Sequence, residues 1–339
     1  MILVPAPQLH AMATQIFRSA GADEEPTAIL VDHLIAANLA GHDSHGVHLI
    51  PWYVSDIREG KLLPNAHPTI VQETPVAALI DGGLTFGQVA AEFATDVAIA
   101  KAKRQGISVV GLVNSHHIGR LGTYPSYAAR QGIVLMLTTG DLGELTAPYG
   151  GRKAVFGTNP FSFGFPAADR PDLLVDFATS TIAGGKVMVA RAKHEALPTG
   201  SLIDKDGNPT TDPDAYFSGG ALLPFGGHKG SALATLSVLL SQVLVPGGEW
   251  TGKASQTGTF MLAVDAGLFR DPGTVREETD LVFARIKEVP PTPGFAEVLV
   301  PGEPEVRSAE RRGAEGIPIP DDTWTELTAT ATSLGLALT

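Results

Sequence analysis

ISVVGLV, residues 107 to 113, runs directly into NSHHIGRLG, residues 114 to 122. The first half is a short apolar run and reads as a buried strand. The second half is polar and glycine-spaced, with adjacent histidines His116 and His117 and a cation, Arg120. A polar loop at the end of a buried strand is where ligands bind in α/β sheets. The flanks agree with this reading. Gln88–Gln105 reads as an alanine-rich helix, Tyr124–Gln131 as a short helix and Ile133–Thr139 as another strand.

Working outward, Thr69–Glu73, Val76–Asp81, Phe161–Phe165, Leu173–Asp176 and Thr259–Asp265 also read as strands. Gly230–Val245 and Val275–Lys287 read as helices, and Asp206-Gly207-Asn208-Pro209 as a turn. The first 60 residues are helical in pattern. Leu9, Met12, Ala13, Ile16 and Phe17 share one helical face. A second helix starts near Asp23, with Glu24, Glu25 and Pro26 in its first turn, and a third covers Val47 to Arg58. Glu305 to Leu336 returns to helix. The expectation is an α/β (α+β) chain whose helical ends, 1–72 and 304–339, pack as one discontinuous unit beside an α/β domain over 73–303.

Composition narrows the function. The 339 residues are 44% hydrophobic and 18% charged, which excludes a disordered chain. The net charge is −12 with no basic stripe, against a generic nucleic-acid binder and against a membrane-surface protein. There is no cysteine, so disulfides, cysteine-held zinc and cysteine nucleophiles are excluded. The N-terminal stretch has no basic region before an apolar run, so it is not read as a secretory signal. No run reaches ~18 apolar residues, so no membrane span is expected, and the expected location is cytoplasmic. The chain carries 38 glycines and 25 prolines and is heavily punctuated by turns.

A motif scan rejects two nucleotide sites. Residues 247–254 nearly match a P-loop but lack the Ser/Thr that holds Mg²⁺ and follow a helix. No G-x-G-x-x-G follows a strand, so a Rossmann site is not supported. What survives is a set of loops. Five of the ten histidines fall in two clusters, His42, His45 and His48, then His116 and His117. Imidazole suits proton transfer near neutrality. Capping or surface histidines remain an alternative, and so does a metal site across His42, His45 and His48, although no metal motif supports it. Asp43 or Ser44 is a natural N-cap for the third helix. Gly157-Thr158-Asn159-Pro160 reads as a second ligand loop or a plain turn. Gly226-Gly227-His228-Lys229-Gly230-Ser231 opens the helix from Ala232, where free backbone N–H groups and a Lys suit a phosphate.

Taken together, AGHDSHG (40–46), NSHHIGRLG (114–122), FGTNPFSFGFP (156–166), VDFATSTIAGGK (175–186), LLPFGGHKGSALA (222–234) and LVPGE (299–303) resemble the type-2 malate/lactate dehydrogenase family, in family order and over nearly the whole chain. The first half is most similar to the hydroxycarboxylate dehydrogenase B branch. GGALLPFGGHKGSAL (219–233) is similar to the pyrroline/piperideine-2-carboxylate reductases. The resemblance implies a non-Rossmann fold with a mainly antiparallel sheet, NADH or NADPH as cofactor, a small carboxylate substrate, and a homodimer. It implies reduction of a 2-oxo acid to a 2-hydroxy acid, or of a cyclic imino acid.

By the same resemblance, His45 is the proton donor, Ser44 its partner and His116 a second acid/base candidate. Thr158 touches substrate. His117, Ile118, Gly119, Arg120 and Leu121, then Asp176, Phe177, Ala178 and Thr179, then His228 and Lys229, match cofactor-binding segments. Arg307 and Arg311 lie in another such stretch, Pro301 to Arg312. Two departures stand out. Leu49 and Trp52 replace arginines frequent in relatives, where the first holds the substrate carboxylate, so Arg120, Lys186 or His48 is expected to take that task and the substrate to carry an apolar tail. Lys186 stands where the imine reductases carry a catalytic Asp, which favours ketone reduction.

Overall fold

The apolar face formed by Leu9, Met12, Ala13, Ile16 and Phe17 is fully used, and all five side chains are buried. They sit on α1 (Ala6–Ser19), which follows β1 (Ile2–Val4) and precedes α2 (Glu24–Leu39), two short 3₁₀ turns (Asp43–His45, Val47–Leu49) and α3 (Ile50–Arg58). The middle of the chain supplies β2 (Thr69–Glu73), β3 (Ala77–Asp81), α4 (Gly87–Gln105), β4 (Ile107–Val113), α5 (Thr123–Arg130), β5 (Ile133–Thr139), β6 (Phe161–Phe165) and β7 (Leu173–Phe177). Then come α6 (Gly184–Lys193), β8 (Leu202–Ile203), β9 (Pro209–Thr210), α7 (Asp214–Phe217), β10 (Ala221–Leu222) and α8 (His228–Val238), which continues as a π-helical segment, Leu239–Leu244. β11 (Thr259–Asp265), α9 (Pro272–Lys287), α10 (Glu303–Glu315), β12 (Ile317–Ile319) and α11 (Asp321–Ser333) complete it. This computed structural model describes residues 1–246 and 258–336. The near-P-loop stretch 247–254 lies outside the described residues.

The main sheet has seven strands in the order β2-β3-β4-β11-β5-β6-β7. Among the described residues of this sheet, only β3 and β4 pair parallel. The other neighbours in this sheet are antiparallel. α4 and α5 cover one face. The buried alanines of α4 (Ala90, Ala91, Ala94, Ala98 and Ala102) pack with Val110, Leu112, Leu135 and Met261. Small side chains let this helix lie close to the strands. On the other face, Leu240 and Val245 pack against Val113 and Phe260.

The two ends of the chain meet. β1 pairs antiparallel with β12, Ile2 opposite Ile319, and one core joins Leu9, Phe17, Leu34 and Tyr53 to Ile317 and Leu327. The expected continuous helix from Glu305 to Leu336 is therefore interrupted. Gly316, at φ 98°, ends α10, and Ile317 and Ile319 turn inward as a strand before Pro320 starts α11. The α3 cap also differs from expectation. Its N-cap is Leu49 without a side-chain cap, because Asp43 and Ser44 are engaged elsewhere. The helix expected from Ala232 begins four residues earlier, placing His228 and Lys229 in its first turn.

Gly87, the first residue of α4, positions the site. A Cβ there would lie 2.2 Å from the carbonyl oxygens of both His116 and His117. Gly87→Ala is expected to lower the unfolding free energy by roughly 1–3 kcal/mol, the usual cost of overpacking. An unchanged urea midpoint would show that the loop yields freely.

Candidate active site

α2 ends in a polar knot that presents His45. Asn38 Oδ1 accepts from Val47 N at 2.9 Å, and its Nδ2 donates to Asp43 Oδ1 at 2.7 Å. Arg312, from α10, donates to both Asp43 carboxylate oxygens at 2.6 and 3.0 Å. Gly46 is required here, since a Cβ would fall 2.1 Å from Asn38 Oδ1. On this knot, Ser44 Oγ and His45 Nδ1 are hydrogen-bonded at 3.0 Å. That leaves His45 Nε2 as the ring nitrogen free to meet a ligand. His48 Nε2 donates to the Ser44 carbonyl at 2.8 Å, and His42 pairs with Glu305 at 3.3 Å. The three histidines thus take three different partners rather than one metal. Burial of much of the His45 ring, with His42, His48 and Arg120 nearby, pushes its pKa down to about 4.

The loop after β4 brings the second histidine pair to the first. Asn114 turns the chain at φ 51° and donates to Asp81 Oδ2 at 2.9 Å. The hydroxyl of Tyr53 accepts from Gln88 Nε2 at 3.0 Å and donates to His117 Nδ1 at 2.6 Å. His117 stacks on His45, with ring centres 5.8 Å apart and planes within 13°. Burial, then His45, His116 and His48, pushes its pKa down to about 3. His116 Nε2 lies 2.8 Å from Asp56 Oδ2. Trp52 lies over both rings, 4.9 Å from His116 and 5.5 Å from His117.

Of these side chains, His45, Trp52, Asp56, His116 and His117 line a cavity of about 560 Å³. Of the residues expected from sequence, His45, His116, His117, Ile118, Gly119, Leu121 and Thr158 line it. Ser44 stands behind His45. Thr158 is anchored by its carbonyl, which accepts from Thr179 N and Oγ1 at 2.9 and 3.0 Å. Asn159, at φ 41°, bonds through its side chain to both Asp141 N and Asp141 O. The Asn-Pro turn is therefore part of the cavity wall. Phe225 N donates to Thr179 O at 3.0 Å and its ring meets Phe177 edge-on at 5.5 Å, so the 176–179 and 225–230 segments are neighbours.

Other expected residues stand apart from the cavity wall. Arg120 is 8% exposed and lies 3.7 Å from Asp176. Its Nε and Nη2 have no hydrogen-bond partner among the described residues. Burial pushes the Asp176 carboxyl up, opposed by Arg120 and by the Gly122 N–H at 2.8 Å. His48, Lys186, His228 and Lys229 are exposed and do not line the cavity. Arg307 pairs with Glu297 at 2.6 Å, and Arg311 is exposed. Arg312, not Arg311, engages the His45 segment. Leu49 is buried in the helical core, so of the two positions where arginine is replaced only Trp52 shapes the cavity.

Sequence reasoning missed Asp56, Lys61, Ser115 and Asp141, all on the wall. Asp56 sits on the helix face toward the loop, three residues after Tyr53, and an acidic residue on an otherwise apolar face was its signal. Burial raises the pKa of Asp141. Nothing local marks Lys61 or Asp141 in the sequence.

A family model described as malate/L-lactate dehydrogenase matches residues 4–328. Hydroxycarboxylate dehydrogenase B of Escherichia coli O157:H7 is 39% identical over 341 residues, covering 98% of this chain and 94% of that protein. Delta(1)-pyrroline-2-carboxylate/Delta(1)-piperideine-2-carboxylate reductase of Pseudomonas putida is 33% identical over 328 residues, covering 94% of each. The solved sulfolactate dehydrogenase from Methanocaldococcus jannaschii superposes with a TM-score of 0.92 at 32% identity, covering 99% of this chain and 98% of that one. The chain belongs to the malate/L-lactate dehydrogenase family.

Proposed function

We propose that this protein interconverts a 2-oxo acid and a 2-hydroxy acid with NADH or NADPH, His45 moving the proton. The observation that carries the reading is the stacked His45–His117 pair in the cavity wall, in a chain of a dehydrogenase family. When bound, the nicotinamide supplies or takes the hydride. The residues present fit such a cofactor. A buried guanidinium with unpartnered nitrogens, Arg120, suits an anionic group beside the glycine-spaced loop. His117, Ile118, Gly119, Arg120 and Leu121, with Asp176 to Thr179, would hold it. His228 and Lys229 on the first turn of α8 would meet phosphate. Arg307 would have to leave Glu297 to join, and Arg311 is exposed. A mainly antiparallel sheet supports binding on a non-Rossmann fold.

His45 holds or accepts the proton at Nε2, with Ser44 fixing the ring through Nδ1. Thr158 contacts substrate from the facing wall. Of Arg120, Lys186 and His48, none of which lines the cavity, Arg120 is our choice for the substrate carboxylate because it is buried with unpartnered nitrogens, and Lys61 at the cavity wall is a further cation. Trp52 favours an apolar substrate tail. We further read the chain as a helical unit (1–72 with 304–339) beside an α/β domain (73–303), supported by the shared core of the two ends, and as a cytoplasmic homodimer. No helix among the described residues is long and apolar enough to cross a membrane.

A second reading, reduction of a cyclic imino acid, is favoured by the Pseudomonas putida relative. One assay separates them. Consumption of NADH and NADPH is followed with pyruvate, phenylpyruvate, 2-oxoglutarate and pyrroline-2-carboxylate. Turnover of a keto acid is expected, turnover of the imine alone would install the second reading, and no turnover of any would defeat both.

His45→Ala is expected to lower kcat by roughly 10²–10⁴, the usual contribution of a general acid. Near-normal turnover would move the role to His116. The pH dependence has a definite sign. A His45 pKa of about 4 in the free protein means a neutral ring at neutral pH. Hydroxy-acid oxidation needs that neutral ring, so its kcat/KM should hold down to about pH 4 and fall below it. Oxo-acid reduction needs the protonated ring, so its kcat/KM should fall as pH rises. A reduction profile rising with pH would contradict the assignment.

A further inference from the structure

We infer that Asp56 is a positioning residue for the reaction proposed above, holding His116 in the tautomer that leaves Nδ1 a bare acceptor. This role rests on that reading of the site and on four features of the His116 pocket. His116 Nε2 and Asp56 Oδ2 are 2.8 Å apart, with both side chains nearly buried at 11% and 12% exposure. Both line the cavity. The ring is clamped, Trp52 tilted over it at 4.9 Å and Tyr53 edge-on at 5.1 Å, so it has little freedom to turn over. His116 Nδ1 is buried with no hydrogen-bond partner among the described residues.

The chemistry follows from the donor inventory. An ionised carboxylate only accepts, so the proton between the two groups sits on His116 Nε2. In the neutral ring Nδ1 then carries a lone pair and nothing else. Buried acceptors are rarely left empty, so the missing donor comes from the bound molecule, as an O–H of a 2-hydroxy acid or an N–H of an amide. This role differs from that of His45, whose ring neighbour is a neutral serine. His45 moves the proton. His116 orients the group that bears it. The charged and titratable groups that face His116 are Asp56 and Tyr53 from α3 and His117 from its own loop, with His45, Lys61 and Asp141 on the same cavity wall.

Asp56→Asn tests this with little change of shape. The amide can donate to Nε2, which would drive the ring proton to Nδ1 and turn the acceptor into a donor. The ¹⁵N spectrum of the resting enzyme, with histidine labelled, should show His116 protonated on Nε2 in the wild type and on Nδ1 in Asp56→Asn. His116→Gln identifies the resonances. Steady-state kcat/KM should fall roughly ten- to hundredfold, equally in both directions because the overall equilibrium is unchanged, and Asp56→Glu should recover part of it. A merely structural Asp56 would lower the unfolding midpoint and leave the tautomer alone. An unaltered tautomer in Asp56→Asn, or kcat/KM within twofold of wild type, overturns the inference. If the wild-type enzyme turns over none of the acids, the reaction reading fails, and the tautomer measurement still decides the Asp56–His116 assignment.

Discussion

The hydrogen bond between the buried Tyr53 hydroxyl and His117 Nδ1 holds the helical end of the chain against the loop that follows β4. The phenol is fully buried and the imidazole is partly buried at the cavity wall, and a polar atom left there without a partner would be costly. Around this bond, His45 stacks on His117, Trp52 covers His116, and Gln88 supplies the second hydrogen bond to the phenol. The cavity exists because two segments, one before and one after the first strands of the sheet, are locked at this point. Gly87 makes the approach possible by presenting no side chain to the His116 and His117 carbonyls.

Burial sets the charge state of the site. His45 and His117 are both pushed well below the usual imidazole range, chiefly by burial, and His45 further discourages a proton on His117. A chain with net charge −12 therefore keeps few positive charges at this cavity, and Arg120 is placed just behind the loop, against Asp176. An anionic ligand would be met by a buried guanidinium with free donors and by neutral imidazoles, whose protonation it would favour. That coupling of anion binding to proton loading suits a reaction in which a carbonyl oxygen must be protonated as it is reduced.

The fold was legible where a local pattern is strong. Ile107–Val113, Ile133–Thr139 and Thr259–Asp265 lie where alternation and apolar runs put them, and the buried face of α1 is the periodic one. β1 and β12 were not legible. Three residues give too little periodicity, and each is a strand only because the other end of the chain pairs with it. The same holds for the cavity. The histidine clusters and the glycine-spaced loops announce themselves, and Asp56 shows as an acidic residue on an apolar helix face, but Lys61 and Asp141 are ordinary charged residues until the chain crosses over them.

Sequence alone therefore determined the family, the strand that carries the ligand loop, and the residue types capable of moving a proton. It did so because motifs and periodicity are local properties. Tertiary structure decided which histidine pairs with serine, which with tyrosine and which with aspartate. It also removed Leu49 to the core and left Trp52 at the cavity. His116 and Asp56 are 60 residues apart in the chain and 2.8 Å apart in space, and no local pattern encodes a distance of that kind.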